Sequence, residues 1–187
     1  MVSVVVSSTS RDSLWRSPPH PLTTHNALDR PDSMTTEFVY VTYIQASPVQ
    51  VWDALTNAEL TAQFWGHSNV SDWAENSEWR HVRTDGSDIA DVTGRVVASD
   101  RPELLAITFG EPEEADGPPP TATFTIEQFH DIVKLTITHN HLPDVEYEIA
   151  ALGWSSVASN LKTLLETGHV LPQAPWEMHA ELRPDAQ

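Results

Sequence analysis

His139 and His141 are the two side chains best placed, by type and spacing, to do chemistry together. Residues i and i+2 of a strand share a face. Val133, Leu135 and Ile137 occupy that same face, so both imidazoles extend an apolar surface. Imidazole orients ligands, carries protons and binds metals. One reading is therefore a ligand-orienting or metal-binding pair. The other is two histidines at a strand end, half in solvent. Spacing supplies no third ligand, so no metal site is expected.

The chain has seven tryptophans. Trp65, Trp73 and Trp79 bracket the region after a second short helix, and Trp154 lies on the last long helix. Together they can wall an aromatic ligand pocket whose apolar floor includes Leu135 and Ile137. Ordinary core packing is the competing reading, and Trp52 and Trp154 fit it well. The carboxylates form no recognisable catalytic pair. Asp85, Asp88 and Asp91 surround a turn and a strand start, while Glu111, Glu113, Glu114 and Asp116 sit in a proline-rich loop. Solvated charge is their default role. There is no glycine-rich phosphate loop, nucleophile elbow or HExxH motif, so no cofactor is expected.

The element that must position these residues is the stretch from Asp144 to Gly168. Val145, Ile149, Leu152, Val157, Leu161, Leu164 and Leu165 recur at helical spacing, with Asp144 as N-cap and Gly168 beyond the last turn. Gly153 interrupts it at a cost of about 1 kcal/mol relative to alanine, which predicts either a close approach or a bend there. Upstream, Glu37 to Gln45 reads as a strand. Ser47-Pro48-Val49-Gln50 is a capping box with proline at the first helical position, and Asn57 can cap a second short helix reaching about Trp65. Strands follow at Trp79–Thr84, Ile89–Ser99, Leu104–Phe109, Thr121–Phe129 and Ile132–His141, with Gly94 as a possible bulge. The order specifies an α+β fold: an antiparallel sheet with one long helix on its face.

Residues 1–33 are rich in Ser, Thr and Pro and show no lasting periodicity; they read as a disordered extension, or as sequence preceding a start at Met34. The domain is expected at 34–171, and 172–187 as a tail in which Trp176 can pack back. Cysteine is absent, and no run of residues could span a bilayer. These features lead us to expect a cytoplasmic protein without membrane insertion. The net charge is −17, of which residues 34–171 carry −15 from six basic and twenty-one acidic side chains. Such a surface repels phosphate, so nucleic acid is not expected as a partner. The oligomeric state is left open.

Two stretches, FVYVTYIQASPVQVWDALTNAELTAQFWG and GWSSVASNLKTLLETG, together with the order of elements, resemble the helix-grip superfamily of START-like and polyketide-cyclase-like domains. Within it the chain is similar to the homologues of the activator of the heat-shock-protein-90 ATPase, over roughly Thr35 to Val170. The resemblance implies a sheet curled around the C-terminal helix with a cavity between them. It also implies a small hydrophobic or lipid-like ligand in many relatives and a cyclase, hydratase or hydrolase activity in some. A chaperone-interaction module using the acidic surface is the remaining alternative.

Overall fold

The computed structural model describes residues 3–4, 36–110, 117–142 and 144–179. Ser47 caps helix α1 (Pro48–Thr56) reciprocally: its hydroxyl accepts from Gln50 N, and the Gln50 side chain accepts from Ser47 N. Asn57 caps α2 (Ala58–Phe64) by accepting from the amides of Glu59 and Leu60. The strands are β1 (Ser3–Val4), β2 (Thr36–Ile44), β3 (His67–Val70), β4 (Glu78–Arg83), β5 (Ala90–Asp100), β6 (Leu104–Thr108), β7 (Thr121–Phe129) and β8 (Ile132–Leu142). Helix α3 spans Asp144–Thr167, and a single 3-10 turn covers Pro175–Glu177.

All neighbouring strands are antiparallel, in the order β1-β2-β8-β7-β6-β5-β4-β3. Register shifts on β2–β8, β4–β5 and β5–β6 bend the sheet. The fold is the helix-grip fold, with a curved sheet around a long C-terminal helix and two short helices after β2. Phe38, Tyr40, Thr42 and Ile44 of β2 face inward with Ala122, Phe124 and Ile126 of β7 and Val133, Leu135, Ile137 and His139 of β8. Threonines pair across the opposite face, Thr123 with Thr138 and Thr125 with Thr136, where β-branched side chains suit a pleated, half-buried surface.

Ser3 and Val4 pair with Val41 and Tyr40 at the sheet edge. Two expectations are corrected. Strand β3 was not expected, because His67-Ser68-Asn69-Val70 lacks the apolar alternation of a half-buried strand; it is a polar edge strand with Asn69 turned inward. Gly94 is not a bulge. It pairs squarely with Trp79, and the Trp79 indole crosses over it to donate from Nε1 to the Thr108 carbonyl at 2.7 Å. A Cβ at Gly94 would lie 2.1 Å from that carbonyl oxygen, so only glycine lets the indole bridge three strands. The expected cap at Asp144, the side chain of Val145, the loop at 111–116, most of residues 1–33 and the end of the tail lie outside the described residues.

Helix α3 grips the sheet with one half of its length. Trp154, Val157, Ala158, Leu161 and Leu164 are buried, whereas Ile149, expected on the same stripe, is 51 % exposed. The buried Asn160 ties this half to its surroundings, donating to the Phe64 carbonyl at 3.2 Å and accepting from Leu171 N at 3.0 Å. Leu161 is 1 % exposed, so Leu161→Ala is expected to lower stability by about 2–5 kcal/mol in urea titrations. A loss below about 0.5 kcal/mol, typical of surface sites, would place the buried face elsewhere.

Candidate functional site

The N-terminal half of α3 stands off the sheet and leaves a pocket of about 430 Å³. Glu146, Ile149, Ala150, Gly153 and Val157 form its helical wall, one face at steps of three and four. Trp65 from the end of α2, Phe109 just past β6, and His139 and Leu142 of β8 form the opposite wall, with Trp154 between. Trp154 packs edge-on to Trp65 and Phe124, with ring centroids 5.3 Å and 5.5 Å away. Such aromatic edges give an apolar surface of fixed shape.

Among the described residues His139 is the one imidazole in this wall. It is 5 % exposed, and its Nδ1 accepts from Trp154 Nε1 at 3.0 Å. Its Nε2 is buried and has no hydrogen-bond partner. Burial pushes its pKa down to about 4, so it is neutral at physiological pH.

The sequence candidates divide clearly. Trp65, His139 and Trp154 meet around the pocket. Leu135 and Ile137 are fully buried in the core and are not among the residues that line it. Trp79 is fully buried and serves β4–β6 packing. Trp73 donates from Nε1 to the Thr56 carbonyl at 2.8 Å, fastening a loop to α1. His141 does not share the face of His139. Its φ of +60° breaks the alternation of β8, opposite the register shift between Thr36 and Phe38, and Leu142 takes the inward position instead. Glu146 reads as a helix-start charge, and Val157 reads as core stripe and not as pocket lining; Phe109 and Leu142, apolar side chains at element ends, carry no periodic signal. Gly153 did give one. The close approach expected there is absent: an added Cβ would meet nothing within 4 Å.

A second polar cluster lies behind Trp65, whose ring contacts His81 at a centroid distance of 5.1 Å. His81 stacks flat on His67, 4.1 Å apart and 10° from parallel, and its Nδ1 is 2.6 Å from Asn69 Oδ1. Burial, with His67 adding to it, pushes the His81 pKa down to about 3. His67 Nε2 lies 2.9 Å from Asp91, which Arg83 grips through Nε at 2.8 Å and Nη2 at 2.6 Å. Arg83, and then His67, hold the Asp91 carboxyl down at about 2. Trp176 closes this side: its ring sits over the bare Cα of Gly66 and meets His67 edge-on at 6.3 Å. No cluster of three or more metal-binding side chains occurs among the described residues. No helix among them is long and apolar enough to cross a membrane.

Solved structures share this architecture. CalU16 from Micromonospora echinospora is 16 % identical, with 74 % of this chain and 78 % of that one covered at a TM-score of 0.59. Protein SSP2350 from Staphylococcus saprophyticus is 19 % identical, with 75 % and 99 % covered at 0.61. A subunit of the Aha1 dimer from Colwellia psychrerythraea is 17 % identical, with 71 % and 98 % covered at 0.57. At these identities the likeness is one of fold. No curated protein matches the chain. Residues 45–166 match the family described as activator of Hsp90 ATPase homolog 1-like protein, a span running from the end of β2 to the last turn of α3, and the chain belongs to that family.

Proposed function

We propose that the protein binds a small hydrophobic molecule in the pocket between α3 and the sheet, with Trp65, Phe109 and Trp154 as the contact surface and His139 as the polar group. Gly153 carries this reading. Glycine inside a helix costs about 1 kcal/mol relative to alanine, yet no neighbouring atom requires one at this position. The space it leaves belongs to the pocket. A glycine that costs helix stability and adjoins an apolar cavity supports a ligand site there.

Two substitutions separate stability from binding. Gly153→Ala is expected to stabilise the ligand-free protein by about 0.5–1 kcal/mol, read from the urea midpoint. Gly153→Leu is expected to fold and to bind 2-ethylnaphthalene at least about tenfold more weakly than the natural sequence, because its side chain enters the space the probe needs. Wild-type affinity in the leucine variant would remove the pocket from consideration. Failure of the natural protein to bind any apolar probe would leave surface recognition as the better reading.

A further inference from the structure

The hydrogen bond behind His139 dictates what its other nitrogen can do. An indole N–H is a donor only. Since Trp154 Nε1 donates to His139 Nδ1 at 3.0 Å, that nitrogen must offer its lone pair. A neutral imidazole then carries its single proton on Nε2, which is buried without a partner in a residue that lines the pocket. A buried donor left unpaired is unfavourable, so an acceptor arriving with a ligand recovers that loss. The charge around the site limits which acceptor can come. Among the described residues the lining contains no Lys or Arg, and the one charged side chain there is the carboxylate of Glu146. A ligand carboxylate would lose its water in an apolar wall, face a neutral imidazole and pass a negative side chain.

We propose that the pocket selects uncharged molecules whose apolar body ends in a hydrogen-bond acceptor, such as a ketone, quinone or ester carbonyl, held by the Nε2–H of His139, with Trp154 as the positioning residue that fixes the proton there. The inference rests on the pocket being a ligand site and adds the chemical class of the ligand. Fatty-acid anions are excluded by it, although their chains are apolar enough to enter.

Three probes of one shape test it: 2-acetylnaphthalene, 2-ethylnaphthalene and the 2-naphthoate anion. The ketone is expected to bind the natural protein about tenfold more tightly than the hydrocarbon, one net hydrogen bond's difference, and the anion more weakly than either. In isotope-edited infrared spectra the bound ketone's C=O stretch should fall relative to a hydrocarbon solvent. Nitrogen-15 NMR should show His139 protonated at Nε2 only. His139→Phe should retain the hydrocarbon while losing the ketone preference and the infrared shift. Trp154→Phe should let the His139 proton exchange between the two nitrogens and reduce the preference. Hydrocarbon and ketone binding equally, with no carbonyl shift, would overturn the inference and leave the pocket reading standing. Binding of neither would overturn both. Tighter binding of naphthoate would overturn the charge argument and with it the proposed class. The wild-type infrared and NMR readouts decide the matter even where a variant fails to fold.

Discussion

Gly94→Ala is expected to lower stability by about 4–8 kcal/mol although it adds a single methyl group. The new Cβ would lie 2.1 Å from the Thr108 carbonyl oxygen and 2.7 Å from Trp79 Nε1. Both neighbours are fixed. Thr108 is backbone at the end of β6, and the Trp79 indole is fully buried with its N–H committed to that same carbonyl. Relief requires β5 and β6 to part or the indole to leave. Loss of a buried tryptophan's packing costs about 3–5 kcal/mol, and the abandoned carbonyl adds about 1–3 kcal/mol. Against a typical domain stability of about 5–15 kcal/mol, the sum of about 4–8 kcal/mol removes a large share of the stability and, at the lower end of that range, all of it. Gly86→Ala is the control. It has φ +83° but no atom within 4 Å of the added Cβ, so it should cost only about 1–2 kcal/mol, the penalty of the left-handed backbone. If the two variants share a urea midpoint, steric room at Gly94 is not the constraint.

Mild acid should be the second large perturbation. His139 and His81 are held neutral by burial, at about 4 and about 3. In the unfolded chain both titrate near 6.5. Between those values the unfolded state takes up protons that the folded state refuses, so stability falls as pH drops below about 6.5. The groups facing His139 are the Trp154 indole and the Phe109 ring, neither charged. Those facing His81 are Asn69, His67 and, further off, Asp91, which opposes the shift without overcoming burial. Each histidine contributes a slope of at most about 1.4 kcal/mol per pH unit, and the pair lowers stability by roughly 4 kcal/mol between pH 8 and pH 5. Urea titrations at several pH values would measure this. His139→Phe should flatten the slope by about one proton, whatever it costs at neutral pH. Stability unchanged from pH 7 to pH 5 would mean that both imidazoles find protonated forms the fold can accommodate.

What the sequence revealed and what it hid follow from the range of the interactions involved. The capping box at Ser47 and the Asn57 cap are written within four residues, and both form as read. Strand alternation located the buried face of β8 and put His139 on it. The same rule failed two residues later, because a positive φ at His141 is decided by the register against β2, far away in sequence. The stacked His67 and His81, and the bond from His67 to Asp91, join strands through edge pairing that a polar four-residue strand does not announce. Helical periodicity gave α3 an apolar stripe through Ile149, but only the sheet's curvature decides how much of that stripe it reaches. Gly153 lies where that reach ends, which is why its reason is an empty space and not a neighbour.

The strand order also sets a timetable for the newly made chain. From β4 to β8 every strand pairs with the one before it, so the meander from β3 to β8 can zip up as it emerges. Strand β2 is different: Tyr40 and Val41 pair with Ile137 and Thr136, about a hundred residues later. At a synthesis rate of about 5–20 residues per second, β2 waits roughly 5–20 s on the ribosome with Phe38, Tyr40 and Ile44 uncovered. Helix α3, which covers the inner face, is made later still. Strand β2, made before β3 to β8, is thus among the last parts to be buried, and slow elongation through residues 100–140 would prolong the interval in which it can pair with a neighbouring nascent chain.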